Sequence, residues 1–469
     1  MSRTARPAGV VPAPDQAPVD AAPQPPADVN AIDPSLWPVS VRRGGDGALT
    51  VAELDVRDLA EEHGTPAYVL DEDDFRSRAR AFRDAFAPDA DVCYAGKAFL
   101  CTAVARWVAE EGLGLDVTTA GELAVALRAG FPAGRITMHG NNKSMAEIEA
   151  ALDAGVGRIV LDSFEEIARA GYAAEQRAMR ARALVRVTVG VEAHTHEYIA
   201  TAHEDQKFGL SLAGGAAAEA VRRIHSLPSL ELAGLHSHIG SQIFDTAGFD
   251  VAARRLLGLH ADVADEHGID LPELGLGGGF GVAYTPADDP RPPAALAAGI
   301  RAAVVDECSR RGIAVPRWSV EPGRAIAGPS AFTLYEVGTV KRVELPGGAV
   351  RHYVSVDGGM SDNIRPGLYG AAYSCALASR TSSAPPVLVR VVGKHCENAD
   401  VVVRDCFLPG DITAGDLVAV PGTGAYCRSM ASNYNYLPRP PVVAVRSGRA
   451  RAVMRRETPD DLLRLDVDA

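Results

Sequence analysis

The chain has no apolar run near the ~18 residues that a membrane-spanning helix needs. It has no basic cluster either: 47 Lys and Arg stand against 60 Asp and Glu, a formal net charge of −13. That balance argues against nucleic acid and an anionic membrane surface as partners. The seven cysteines (Cys93, Cys101, Cys308, Cys375, Cys396, Cys406 and Cys427) form no CxxC pair and no dense framework. Free thiols in a reducing cytoplasm are therefore expected. No G-x-G-x-x-G stands early in the chain, so the fingerprint of a dinucleotide-binding open sheet is missing. The first 30 residues hold seven Pro and seven Ala and lack the apolar core of a secretory signal. Residues 1–36 are expected to be a disordered extension.

What is present is a long chain of ordinary soluble composition, 469 residues with 47% hydrophobic and 23% charged. A (β/α)₈ barrel takes ~250 residues and leaves room for one smaller domain. From about residue 90, β-rich runs alternate with segments of helical periodicity, such as Leu100, Val104, Trp107 and Val108. The runs centre near Tyr94, Asp116, Ile136, Val160, Val187, Leu235, Leu274 and Ser319. Capping boxes are expected at Thr119 with Glu122, Ser144 with Glu147 and Ser163 with Glu166. Gly112, Gly130 and Gly155 fall where helices should stop. Eight such units imply a TIM barrel over 71–328, with a doubly wound open sheet as the rival. After about residue 330 the helical rhythm ends. Strand-like runs at 332–337, 352–356, 387–392, 401–403, 417–420 and 442–445 give a C-terminal β-barrel or β-sandwich domain over 329–469. The segment 37–70 is expected to pair with that domain.

In a barrel the chemistry sits at the carboxyl ends of the strands. The unusual residues fall there in succession: Lys97, Thr118 and Thr119, His139, Asp162, His238, Gly277–Gly279 and Glu321. Lys97 lies in apolar surroundings. If buried it would shift toward the neutral, nucleophilic amine; the alternative is a lysine reaching out of the barrel mouth. Gly277, Gly278 and Gly279 could leave backbone amides free for a phosphate, or could serve only a tight loop. His236 and His238 alternate along a strand and could stack on a planar ligand, ligate a metal with His194 or His196, or be core histidines. Glu321, Pro322, Gly323 and Arg324 end the eighth strand. A carboxylate there could hold a pyridine nitrogen protonated, or pair with Arg324 across a turn. Arg365 and Tyr369, Cys396 and Glu397, and Tyr426 stand out in the β domain. A thiol such as Cys396 can donate a proton near neutral pH. An amine, a phosphate loop, a stackable imidazole and a carboxylate around one mouth are what pyridoxal 5′-phosphate needs.

At these residues the chain resembles the fold-type-III, alanine-racemase-like pyridoxal-phosphate decarboxylases, and within them the diaminopimelate decarboxylases of actinobacterial type. The segments that carry the likeness include Tyr94–Phe99, His139–Ser144, Glu192–Glu197, His203–Gly209, His236–Gln242, Gly277–Gly281, Glu321–Arg324 and Gly424–Tyr426. The resemblance implies that Lys97 carries the cofactor, His238 stacks on its ring and Glu321 holds the ring nitrogen. It places Ser241, Gly277–Gly279, Arg324 and Tyr426 around the phosphate. Arg324, Arg365, Tyr369 and Tyr426 would orient the substrate, with Arg186 near its distal end. Cys396 and Glu397 would reach in from the partner subunit of a homodimer, the first as proton donor and the second on the distal amine. No resident metal is expected. The implied reaction is decarboxylation of meso-2,6-diaminopimelate to L-lysine, the last step of lysine biosynthesis. Two departures touch substrate fit: Asn398 and Ala399 stand where Ser-Gly is usual, and Val420–Gly424 replaces small non-proline residues. They leave open a paralogue for a related diamino acid. Two other rivals are a metal-dependent barrel hydrolase and a binding protein without catalysis.

Overall fold

A computed structural model describes residues 24–191, 207–345, 348 and 350–468. Eight parallel strands form a ring: β1 (Ala90–Ala95), β2 (Gly114–Val117), β3 (Ile136–Met138), β4 (Arg158–Leu161), β5 (Ala181–Thr188), β6 (Leu230–His236), β7 (Glu273–Gly275) and β8 (Arg317–Val320). Each pairs with the next, and β8 returns to β1 in the register Trp318 to Ala90 and Val320 to Val92. Closure removes both sheet edges and decides for the barrel over the open sheet. The helix Glu72–Phe86 packs Phe75, Phe82 and Phe86 into the core, with the Phe86 ring 5.5 Å from that of Trp318.

Only one of the three expected capping boxes is reciprocal, that of Ser144 and Glu147. Ser163 accepts from the Glu166 amide, but the Glu166 carboxylate turns away to the amides of Lys143 and Asp162 and to the Lys143 ammonium at 2.8 Å. A fully buried lysine without a counter-ion would cost more than a lost cap interaction, so the ion pair wins. Glu122 likewise caps the Thr118 amide.

The second domain is built on the long strand Ala331–Glu344. Its first part is sandwiched between Ala67–Asp71 and Leu417–Pro421, both antiparallel. A register shift between Val337 and Thr339 turns its second part toward Val350–Val356. Such a bulge bends a strand, and here it lets one strand serve two partners. Val442–Arg446 lies parallel to Ala67–Asp71, so a strand that precedes the barrel is central to the sheet that follows it. The expected disordered extension is seated on this domain from Asn30 onward. Asn30 exchanges two hydrogen bonds with Ser382 at 2.9 Å, and Leu36 and Trp37 are buried with Phe332 and Leu334. Apolar anchors late in a Pro-rich segment explain that correction; residues 1–23 lie outside the described residues.

Candidate active site

Strand ends place the chemistry. Thr118 follows β2 directly, His139 β3, Asp162 β4 and Glu321 β8, while Lys97 and His238 stand two residues past β1 and β6. Lys97 is exposed in the turn after β1 and lines the open cavity, which decides for a lysine reaching into the barrel mouth over a buried one. The cavity has two lobes of about 640 and 620 Å³, both lined by Ala95, Lys97, His238, Gly240 and Glu321.

The first lobe opens over the barrel interior and adds Asp116, His139, Arg186, Phe208 and His236. His236 Nε2 lies 2.7 Å from Glu321 Oε1. Burial alone would raise the Glu321 carboxyl, but His236 and then His139 outweigh it and hold it well below the usual carboxylate range. Oε2 of Glu321 has no hydrogen bond among the described residues and is the oxygen available to a ring nitrogen. Arg186 projects from β5, 3.5 Å from Asp162 Oδ2, with its guanidinium over Phe208 at 4.5 Å. Burial first, and the nearby Lys97 charge second, push the His238 imidazole well below its ordinary value. A neutral imidazole is suited to stacking.

The second lobe lies between barrel and β domain. Arg324 donates from Nη2 to Ser241 Oγ at 2.9 Å and from Nη1 to Tyr284 Oη at 2.6 Å. Arg365 donates to the same Tyr284 Oη at 2.7 Å. The Arg324 guanidinium also covers the Tyr426 ring at 4.5 Å. Tyr426 itself has φ +59°, fixed by its amide donating to Ala98 O at 2.9 Å. Tyr369 is 64% exposed at the rim. Tyr284 was not found from sequence. Its signal is only its place three residues after Gly281, and a lone Tyr there is indistinguishable from a core aromatic.

The glycine triplet is more structural than phosphate-cradling. The Gly278 amide is taken by His238 Nδ1 at 3.3 Å. A Cβ on Gly278 would sit 2.1 Å from Glu321 O, and one on Gly279 2.4 Å from Gly240 O. Close passage of three loops therefore demands glycine here. Gly278 and Gly279 still line the second lobe; Gly277 does not. Pro322 and Gly323 serve the same packing, with Ala95 N donating to Pro322 O.

Cys396 and Glu397 are exposed and line neither lobe of their own chain. Glu397 accepts a hydrogen bond from Tyr434 Oη. Their loop is tied down by Asp400, which accepts from the amides of Met360 at 2.6 Å and His395 at 2.7 Å. Ala399 does not have a positive φ, so the position does not need glycine, and Asn398 is exposed. Thr423 of the other departure bonds Thr333 inside the β domain at 2.7 Å.

The metal reading is not supported by the geometry. His238 is not grouped with His236; the cluster is His139, His236 and Glu321, with ligand atoms within 4.8 Å of one another. Two ligands on one zinc, each ~2.0–2.1 Å from it, stand roughly 3.3 Å apart. The 2.7 Å between His236 and Glu321 is a hydrogen bond instead. His194, His196 and His203 lie outside the described residues.

The donors around Lys97 do fit pyridoxal phosphate. A free carboxylate oxygen faces one side of the amine, and paired cations with a hydroxyl face the other. Comparison with known proteins agrees. Residues 72–328 match the family model of the pyridoxal-dependent decarboxylase pyridoxal-binding domain. The chain is 58% identical over 440 residues to diaminopimelate decarboxylase of Mycobacterium tuberculosis, covering 93% of this chain and 98% of that one. It is 56% identical over 448 residues to the Mycobacterium leprae enzyme, covering 95% of each. The crystal structure of diaminopimelate decarboxylase from M. jannaschii superposes with a TM-score of 0.85 at 29% identity, over 92% of this chain and 98% of that one. The Helicobacter pylori enzyme complexed with L-lysine gives 0.79 at 30%, over 88% and 100%. An eight-stranded barrel closed over an exposed lysine, a histidine-bonded glutamate and an arginine–serine pair, together with these matches, shows that the chain belongs to the pyridoxal-dependent decarboxylases.

Proposed function

We propose that this chain decarboxylates meso-2,6-diaminopimelate to L-lysine and CO₂, using pyridoxal 5′-phosphate held at Lys97. The observation that carries this reading is the position of Lys97 at the junction of two lobes, in a chain matching diaminopimelate decarboxylases over 93% of its length. The cofactor supplies the electron sink for the pair left behind by CO₂.

The protein's own groups do the rest. Lys97 would hold the cofactor through its amine, Glu321 would stand at the ring nitrogen and His238 would lie against the ring. Arg324 and Ser241, with Gly278, Gly279 and Tyr426 beside them, receive the phosphate. Arg365 and Tyr369, on the helix Arg365–Tyr369, orient the substrate at the rim, with Arg186 across the first lobe. Tyr284 accepts from both arginines, so their forks are aimed before substrate arrives. Loss of CO₂ rather than of a proton requires the scissile carboxylate to stand perpendicular to the conjugated plane, an orientation set by contacts at the substrate's far end.

Those far contacts are not completed within one chain. The reading therefore includes a cytoplasmic homodimer in which Cys396 of one subunit returns the proton in its partner's site and Glu397 holds the distal ammonium. Glu397 would also reject substrates with a neutral tail. The exposed Leu368, Tyr369 and Tyr436 support a face covered by a second subunit. A loop pinned by Asp400, with Ala399 free of a positive φ, supports the usual substrate over a related diamino acid.

The test is an assay of lysine and CO₂ from meso-diaminopimelate, followed by mixing of two inactive variants, Lys97→Ala and Cys396→Ala. Shared sites predict recovery of about a quarter of wild-type activity, since half of random dimers restore one of two sites. No recovery with proven subunit exchange would dismiss the shared site. No lysine from the wild-type holoenzyme would dismiss the substrate.

A further inference from the structure

The barrel interior below the cavity holds more ionisable groups than this reaction uses. Asp116 lies on β2, His139 follows β3, His236 ends β6 and Glu321 follows β8. His139 Nε2 stands 3.6 Å from Asp116 Oδ1 and 3.6 Å from Glu321 Oε1, so it sits between two carboxyls. The His139 and His236 rings meet edge to face, with centroids 5.0 Å apart. Of these groups, only the His236–Glu321 pair makes a hydrogen bond of normal length. Asp116 Oδ1 and Oδ2, His139 Nε2 and His236 Nδ1 are buried with no hydrogen-bond partner among the described residues.

Two carboxyls facing one imidazole nitrogen in a water-poor interior do not ionise together. The structure shows which keeps the charge. Glu321 has a donor in His236. Asp116 has only the Cys93 thiol, a weak donor, and an ionised carboxylate buried with so little support is disfavoured against its neutral form. Burial first, and the Glu321 charge second, push the Asp116 carboxyl well above the usual carboxylate range. Burial pushes His139 down to about 3, so its imidazole is neutral. Other charged or titratable groups face the cluster: Lys97, Arg186 and His238 from the cavity, Cys93 from β1 and Glu122 from the helix after β2, and, across the small cavity beneath, the paired Asp91 with Arg317 and Arg158 with Glu273. On the far side of Asp116, a cavity of about 30 Å³ lined by Cys93, Thr137 and Glu321 has room for one water.

We infer that Asp116 and His139 are positioning residues that hold Glu321 as the single anion of the Asp116–His139–His236–Glu321 cluster, aimed at the cofactor's ring nitrogen. Asp116 keeps its proton, and neutral His139 presents Nε2–H between the two carboxyls. Glu321 is thus steadied by the His236 hydrogen bond, with His139 Nε2 3.6 Å away as a polar neighbour, and does not share its charge with a second carboxylate. This rests on the assignment of Glu321 to the ring nitrogen. It adds two residues of the first lobe that act through Glu321.

The test reads the proton and the cofactor separately. Infrared difference spectroscopy between wild type and Asp116→Asn should show, at neutral pH, a protonated-carboxyl C=O stretch that the variant lacks. Cofactor affinity of the apoproteins and the pH profile of the holoenzyme absorption band give the second readout. Asp116→Asn, neutral and of the same shape, should keep affinity within about threefold of wild type, whereas Asp116→Ala and His139→Phe should each lose about tenfold and shift the pH profile. Absence of the carboxyl stretch, or an Asn variant as weak as the Ala variant, overturns the inference. A wild-type protein that binds no pyridoxal phosphate overturns instead the underlying role of Glu321, while the infrared result still decides where the proton lies.

Discussion

On the β-domain side of Lys97 the polar groups are tied to one another: Arg324 to Ser241 and Tyr284, and Arg365 to the same Tyr284. On the barrel side, Asp116 and one nitrogen each of His139 and His236 are buried without partners. The first lobe is thus short of hydrogen bonds, whereas the arginine head groups of the second are already engaged by hydroxyls, with Arg365 Nε left without a hydrogen-bond partner among the described residues. The difference follows from what each must do. Cations that receive a phosphate can be aimed in advance by neutral hydroxyls, which do not compete for charge. A site that sets the charge on a ring nitrogen needs ionisable groups close together, and their protons are shared out by burial and mutual repulsion.

The comparison can be broken at its junction or on either side. The largest effect is expected at the junction. Lys97→Ala should abolish the cofactor's visible band and lower kcat by about 10⁴-fold or more, read by absorption and steady-state assay. A variant that keeps the band would show that Lys97 is not the attachment point. On the β-domain side, Arg324→Ala should weaken cofactor binding by about 10–100-fold, the worth of hydrogen bonds to a charged group. Arg324→Lys should recover only part, since an ammonium cannot span Ser241 and Tyr284 as a fork does. Equal affinity of the Ala variant and wild type in equilibrium titration would remove Arg324 from the phosphate site. A smaller effect is expected from Tyr284→Phe, which removes the shared acceptor and leaves both arginines in place. About 1 kcal/mol, or roughly fivefold in cofactor affinity or KM, is expected.

The smallest effect on the cavity is expected from Asp362→Asn, three residues before Arg365. Burial raises the Asp362 carboxyl to about 7, although Tyr335 and the Gly359 amide donate to it. Its folded-state value therefore lies above that of the unfolded chain, roughly 3.9. Its contribution to stability is complete below that lower value and is lost as pH rises through the folded one. The wild-type Tm should fall by a few °C across roughly pH 4–7 relative to Asp362→Asn, with cofactor affinity unchanged. Parallel Tm–pH curves would show that Asp362 does not titrate in that window.

Sequence periodicity was enough for the eight barrel strands, because each is a short apolar run set between helical segments, and parallel strands buried on both faces leave that signature. The residues after those strands were legible for the same reason: a polar residue ending an apolar run stands out. Lys97 is legible as a candidate, while local sequence leaves its environment open between two alternatives, since its apolar neighbours Ala98 and Phe99 are buried and its own side chain lines the open cavity. Tyr284 was illegible, because its two arginine partners lie 40 and 81 residues away. The capping pattern at Ser163 holds for the hydroxyl and fails for Glu166, whose partner Lys143 belongs to another unit of the barrel.

The sequence by itself determined the elements, their order and the chemical inventory at the strand ends, because periodicity and strand termination act over a few residues. Only the tertiary structure decided which inventory members meet. The pairing of Arg324 with Arg365 through Tyr284, the placing of His139 between two carboxyls and the exclusion of Cys396 and Glu397 from their own chain's cavity all depend on ring closure and domain packing. Those contacts join residues far apart in the chain, and no local pattern encodes the distance between them.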